Sequence, residues 1–138
     1  MTLSRFAQLV RVAQHPAKGK ASPAKRKTTK GTIKLEIKLR QQIELAGLQD
    51  GMEAEYCAIP GRKLRWDFAW PRRGRILVEI QGGIWAKGGH TSGVGVNRDT
   101  EKANIATLAG WHILSVTSNQ INSGQALRWL QDALRKFA

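Results

Sequence analysis

The sequence predicts one mixed α/β domain that follows a basic tail. A chain of 138 residues is long enough for one hydrophobic core and too short for two sizeable ones. Residues 1–35 contain nine Lys or Arg and no Asp or Glu, whereas the remainder has 14 basic and 10 acidic residues. We therefore expect a basic arm over residues 1–32 and an α/β domain over residues 33–138.

Apolar periodicity predicts the elements of the domain in order. The predicted elements are a helix at 34–47, strands at 52–59, 62–70 and 75–81, a helix at 97–109, a strand at 111–116 and a helix at 125–137. The side chains expected to pack against the sheet are Leu35, Leu39, Ile43 and Leu45 or Ala46 in the first helix, Ile105, Leu108 and Ala109 in the second, and Leu127, Leu130, Leu134 and Phe137 in the last.

The arm is predicted to be largely disordered. Residues 15–32 are rich in Lys, Pro, Gly, Ser and Thr and have almost no large apolar side chains, so they cannot repay the entropy of ordering. Residues 4–14 form a basic amphipathic stretch that fits a short helix docking on the core, contacting DNA or pairing with another chain. Its acid-poor, Arg-containing composition also fits an organelle transit peptide.

The charge indicates a polyanionic partner. The formal net charge is +13 and the sequence pI is about 10.8. No apolar run approaches the length of a membrane-spanning helix, so nucleic acid, and no membrane, is the expected partner.

Cys57 is the only cysteine, which excludes an internal disulfide and a Cys-based structural zinc site within one chain. With no secretory hydrophobic region, a reducing, cytoplasmic compartment is expected.

Two acids lie on neighbouring predicted strands. In residues 64–70 the large apolar side chains alternate with Asp67, which is expected to point away from their face. The next run, residues 76–80, is apolar and rich in β-branched side chains except at Glu79. The turn-forming residues 71–74 separate the runs, so an antiparallel hairpin brings Asp67 and Glu79 together. Oxygen ligands of this kind suit a hard cation such as Mg²⁺.

At these residues the chain resembles the PD-(D/E)XK nuclease superfamily, whose motif pairs an Asp on one strand with Glu-x-Lys on the next. Within it, the chain is similar to the small phage-type and very-short-patch-repair-like endonucleases. That similarity is carried by Asp67-Phe68-Ala69-Trp70-Pro71, the strand end Val78-Glu79-x-x-Gly82, Trp85 and His90-Thr91. It covers roughly residues 34–118. The very-short-patch-repair enzymes hold a structural zinc, for which this chain lacks the cysteines. Their mismatch specificity is therefore not carried over.

The resemblance implies a restriction-endonuclease-like core, which is a mixed β-sheet of about four strands flanked by helices. It also implies a DNA endonuclease that uses Mg²⁺, with Mn²⁺ as an alternative, in a bacterial or phage-infected cell. Asp67, Glu79 and the Ile80 carbonyl would hold the cation, and Glu36 of the preceding helix would complete the set. The alternative for Glu36 is a solvent-facing acid in the first turns of a helix, stabilised by the macrodipole.

The third motif position carries Gln81, where the superfamily most often has Lys. An amide supplies no positive charge, so Gln81 would only position the attacking water. Lys102, on the second predicted helix, is the candidate substitute, and its alternative is a solvated helix lysine. His90 is a candidate general acid or water-positioning base, and its alternative is an ordinary surface histidine.

A glycine-rich loop follows the second acid, with six glycines among the fourteen residues 82–95. Its backbone would lie close to a bound DNA strand. The candidates for DNA contacts are Arg65, Trp85, Lys87, Thr91 and Arg98 in the domain and Lys25, Arg26 and Lys27 in the arm. Trp85 stacks or wedges against a base in this interpretation and is a core anchor in the alternative one.

Two other classes of function stay open. A nuclease-like fold that binds nucleic acid without cutting is favoured by Gln81. A basic protein associated with RNA or the ribosome would explain the arm but not the pair of Asp67 and Glu79. For the endonuclease, the sequence leaves open plain duplex or branched DNA and monomer or homodimer, and a monomer with one site would most simply nick.

Overall fold

The computed structural model of the protein describes residues 30–81 and 93–138. Its elements are α1 (Lys30–Leu45), β1 (Glu53–Tyr56), β2 (Trp66–Trp70), β3 (Ile76–Gln81), α2 (Gly93–Leu108), β4 (His112–Thr117), α3 (Ser118–Asn122) and α4 (Gln125–Phe137). The predicted order is confirmed, and the closing part of the chain consists of two helices. The predicted functional residues that lie outside the described residues are Lys25, Arg26, Lys27, Trp85, Lys87, His90 and Thr91.

The four strands form one mixed sheet in the order β1-β2-β3-β4. β2 pairs antiparallel with both β1 and β3, whereas β3 and β4 are parallel. The predicted hairpin of β2 and β3 is therefore confirmed. Its register pairs Phe68 with Val78, so Asp67 and Glu79 lie across from each other one residue further along. No helix in the described ranges is long and apolar enough to cross a membrane.

Helices cover both faces of the sheet. One apolar cluster joins Phe68 and Ile80 of the sheet to side chains of α1, α3 and α4, including Leu39 and Leu130. A second cluster joins Leu77, Ala69 and Trp66 to Ala106 of α2 and to the segment that follows β1. Because both faces are covered, all five residues of β2 are buried. The predicted alternation is wrong at Trp66, which packs with Ala69 in the second cluster.

Predicted core positions near the ends of three helices are more exposed than the helical pattern indicated, and Ala46, the alternative to Leu45, is exposed as well. Leu45 is 90% exposed and Leu108 is 48% exposed, because each lies two residues, about 200° of helix rotation, after the buried Ile43 or Ala106. Phe137, at the end of α4, is 39% exposed. Its ring stacks on a surface histidine instead of entering the core.

The turn between β2 and β3 is held against two other elements. Gly74 has φ +73°, and a Cβ built there would lie 2.9 Å from the main-chain carbon of Phe137. Arg75 also has a positive φ of 50°. Its guanidinium donates to the Ala109 carbonyl at 2.9 Å and lies 4.5 Å from the centre of the Trp111 ring. These contacts attach the hairpin end to α4 and to the end of α2.

Gly74→Ala is expected to destabilise the protein more than Gly47→Ala does. Gly47 has a similar φ of +71°, but nothing lies within 4 Å of a Cβ built there. Gly47→Ala should lower the free energy of unfolding by about 1–2 kcal/mol through the left-handed conformation alone. Gly74→Ala should cost about 1–3 kcal/mol more through its contact with α4. Urea unfolding measures both, and equal losses would contradict the close packing.

Candidate active site

The candidate site lies where the start of β2 meets the end of β3. Asp67 is only 3% exposed, and its Oδ2 accepts a hydrogen bond of 2.7 Å from the backbone N–H of Ile80. A hydrogen bond from an amide to an ionised carboxylate offsets part of the cost of burying its charge. This bond also fixes the orientation of the Asp67 carboxylate within the sheet.

Three carboxylates from three elements converge beside this bond. Glu36 of α1, Glu55 of β1 and Asp67 of β2 each offer an oxygen, and the three oxygens lie within 4.8 Å of one another. Mg²⁺ holds its oxygen ligands at about 2.1 Å, so two ligand oxygens lie at most about 4.2 Å apart. A shift of a few tenths of an ångström would bring the three within range of one ion. This all-oxygen donor set fits Mg²⁺ or Mn²⁺.

Glu55 is the member of this cluster that the sequence pattern did not indicate. β1 pairs Ala54 with Phe68 and Tyr56 with Trp66, so Glu55 lies across from Asp67. Its φ is +53°, a conformation that costs a residue with a side chain about 1–3 kcal/mol. In the sequence Glu55 is an ordinary strand acid, and only the pairing of β1 with β2 brings it next to Asp67.

Glu79 is held by Lys102. The Lys102 Nζ lies 2.9 Å from Glu79 Oε2, and the two side chains are only 17% and 12% exposed. The same ammonium donates to the Arg65 carbonyl and lies 4.7 Å from the centre of the Trp66 ring. Lys102 is thus not a solvated helix lysine, because it reaches from α2 to the strand that carries Glu79.

The structure divides the predicted ligand set into two groups. Asp67 and Glu36 belong to the cluster of three carboxylates, whereas Glu79 forms the ion pair with Lys102. Ile80, predicted to contribute its carbonyl, contributes its N–H to Asp67. The hairpin register places the backbones of Asp67 and Glu79 across from each other, whereas their side chains contact different helices, α1 and α2.

Three more of the predicted residues lie within the described part of the chain. Gln81 is half-buried at the end of β3 and pairs with Thr117 of β4. The side chains of Arg65 and Arg98 are exposed, on the segment before β2 and on α2. That segment is attached to α2 a second time, because Arg62 lies 3.6 Å from a carboxylate oxygen of Glu101. Arg65 and Lys102 therefore belong to one continuous surface.

The charge of the site is opposite to that of the chain. Its four carboxylates, those of Glu36, Glu55, Asp67 and Glu79, are formally −4 against +1 for Lys102. The whole chain is formally +13. The carboxylates of Glu36, Glu55 and Asp67 are the ones that converge, and like charges this close favour a shared divalent cation. The three carboxylates can hold a cation, and a cation held in this way suits chemistry on a phosphate group.

Comparison of the chain with protein-family models, with curated proteins and with solved structures found no match. The chemistry of the site is therefore inferred from its own residues. The features that carry this inference are Asp67 and Glu79 on paired strands and the lysine of α2 that pairs with Glu79.

Glu55→Gly is expected to stabilise the metal-free protein while it weakens cation binding. Glycine relieves the positive φ and removes one of three close negative charges, so the free energy of unfolding in EDTA should rise by up to about 1 kcal/mol. Added Mg²⁺ or Mn²⁺ should raise the Tm of the parent but not that of Glu55→Gly. Thermal unfolding with and without metal measures both effects.

Two controls accompany this test. Glu55→Gln removes the charge and keeps the backbone strain, so it should lose the metal effect without the full gain in stability. Glu53→Gln removes an exposed acid of the same strand and should respond to metal as the parent does. A Glu55→Gly protein that binds Mn²⁺ as tightly as the parent would exclude Glu55 from the ligand set.

Proposed function

We propose that the protein is a metal-dependent DNA endonuclease, a deoxyribonuclease with a restriction-endonuclease-like core that hydrolyses phosphodiester bonds. The observation that carries the proposal is the pairing of β2 with β3, in which Asp67 lies across from Glu79. Further support comes from Lys102, which supplies a positive charge beside Glu79 where the motif position itself has Gln81. The order of elements is also that of the nuclease core that the motif resembles.

The cation is proposed to be Mg²⁺, or alternatively Mn²⁺. Asp67, Glu36 and Glu55 offer the converging oxygens, and Glu79 and the Ile80 carbonyl join them in the arrangement that the resemblance implies. A cation bound there would polarise the scissile phosphate and make a bound water more acidic. The Ile80 N–H keeps the Asp67 carboxylate oriented toward its neighbours from α1 and β1.

Protein groups then perform the remaining tasks. The Gln81 amide orients the attacking water, and the Lys102 ammonium stabilises negative charge that develops on the phosphate. Arg65 and Arg98 are exposed beside the site and contact the DNA backbone. His90 is proposed to assist proton transfer. The DNA contacts proposed beyond the described residues are those of Trp85, Lys87, Thr91, Lys25, Arg26 and Lys27.

The substrate is proposed to be duplex or branched DNA. One site per chain cuts one strand, so a monomer would nick and a homodimer would cut both strands. Basic residues in the arm would raise the nonspecific affinity and the encounter rate, with a strong dependence on salt. The expected compartment is the cytoplasm.

A binding module that does not cut is the second candidate. Two observations favour it: position 81 carries an amide, and the Lys102 ammonium already has Glu79 and the Arg65 carbonyl as partners. In this case the nuclease-like fold binds DNA or a junction through its basic surface. Turnover that depends on metal separates the two candidates.

Asp67→Asn and Glu79→Gln are each expected to lower the rate of cleavage by at least about 100-fold, because each removes a charge next to the proposed cation. The assay incubates the purified protein with supercoiled plasmid and with a labelled branched duplex in Mg²⁺, Mn²⁺ or EDTA. The parent should nick or linearise the plasmid only with metal. Faster cleavage of the branched duplex would indicate a structure-specific enzyme.

Asp99→Asn is the matched control, because Asp99 is an exposed acid on α2 outside the carboxylate cluster. It should cleave as fast as the parent. Retarded but uncut DNA in every lane would favour the binding module. A folded Asp67→Asn protein with the parent's rate would contradict the proposed site, and preferential binding of duplex RNA would contradict the assignment of DNA.

A further inference from the structure

We propose that Trp66 is a positioning residue for Lys102. Its indole face and the Arg65 carbonyl together form a fixed seat for the Lys102 ammonium. The seat keeps Lys102 in place when the Glu79 carboxylate turns toward a divalent cation. The catalytic consequence rests on the proposed function, whereas the existence of the seat does not.

Three different groups surround the Lys102 Nζ. The Glu79 carboxylate lies at 2.9 Å, the Arg65 carbonyl accepts a hydrogen bond, and the centre of the Trp66 ring lies at 4.7 Å. A cation within about 6 Å of an indole face is attracted by the quadrupole of the ring. This attraction strengthens when the cation is removed from water, and the Lys102 side chain is only 17% exposed.

The seat is rigid because its parts belong to the core. Trp66 is 1% exposed and packs in the second apolar cluster beside Ala58 and Ile59. The accepting carbonyl belongs to the preceding residue, so the carbonyl and the ring move together. On α2, Ala106 lies one turn after Lys102 on the same helix face and is fully buried. α2 and β2 are therefore both anchored in the core at the point where the Lys102 side chain extends from the helix to the strand.

The partners of Lys102 differ in their affinity for a divalent cation. Glu79 is a carboxylate and suits Mg²⁺, whereas an indole face does not bind it. When Glu79 engages a cation, Lys102 loses one partner and keeps two. The ammonium stays over Trp66, and the N–H that pointed to Glu79 becomes available to a phosphate oxygen. Gln81 is a neutral amide, so the positive charge of the site comes from the Lys102 ammonium. The seat therefore determines where that charge lies.

The first test is an NMR measurement on the full chain labelled at the lysine ε-carbons. Protons above the face of an aromatic ring shift upfield, so the Lys102 ε-CH₂ signal should lie upfield of the other lysines in EDTA. Lys102→Met assigns the signal by removing it. After saturation with Mg²⁺ the signal should remain upfield. A signal among the other lysines in EDTA, or one that moves there with Mg²⁺, would overturn the proposal.

The second test compares Trp66→Leu with Trp66→Phe. Both remove volume from the core, but phenylalanine keeps an aromatic face under the ammonium. Trp66→Leu should lower kcat about 2- to 30-fold with an unchanged KM, and Trp66→Phe should recover most of the loss. Trp70→Leu is the control for lost packing, since Trp70 is buried on the same strand, and it should keep the parent's kcat when folded.

The two tests distinguish a failure of the proposed seat from a failure of the proposed function. If the parent does not cleave with any metal, the proposed function fails, and the NMR signal alone decides whether the seat exists. If Trp66→Leu does not fold, Trp66→Phe and the signal of the parent decide it. Equal kcat values for the parent and Trp66→Leu would show that Trp66 only fills the core and would overturn its positioning role.

Discussion

The register of β2 against β3 is the constraint on which the site depends. Phe68 pairs with Val78 and Trp70 with Ile76, so the backbone of Asp67 lies across from that of Glu79 and the Ile80 N–H reaches the Asp67 carboxylate. A slip of one residue would turn every side chain of β2 to the opposite face of the sheet. Burial of all five β2 residues and the short turn held against α4 both oppose such a slip.

The two acids of the hairpin, Asp67 and Glu79, are held by different partners. Asp67 is buried in the sheet and receives an amide hydrogen bond, which orients its carboxylate. Glu79 receives an ammonium, which does neutralise it. The amide thus orients one acid toward the carboxylate cluster, while the lysine pairs with the other. The carboxylates of the site repel a phosphate group until a cation is bound. The basic residues around the site attract phosphate whether or not a cation is present.

Local pattern predicted the order of the elements and the hairpin well. Alternation of apolar and polar residues, the turn residues Pro71 and Gly74 and the helical spacing of Leu130 and Leu134 are all properties of short segments. The same reasoning was wrong at Leu45, Leu108 and Phe137, because periodicity does not specify how much of a helix face the sheet covers. β1, β2 and β3 are also shorter than predicted, and β4 lies one residue later, since pairing in the sheet, not composition, decides where a strand ends.

The sequence by itself determined the hairpin that carries Asp67 and Glu79 on paired strands, because two strands joined by a tight turn can pair in few ways. It also indicated Lys102 as a substitute for the missing motif lysine. Only the tertiary structure decided that Lys102 points to Glu79, that Glu55 lies next to Asp67 and that Trp66 lies under the ammonium. Lys102 and Glu79 are 23 residues apart in the chain. Their contact depends on how α2 docks against the sheet, and no local periodicity encodes that geometry.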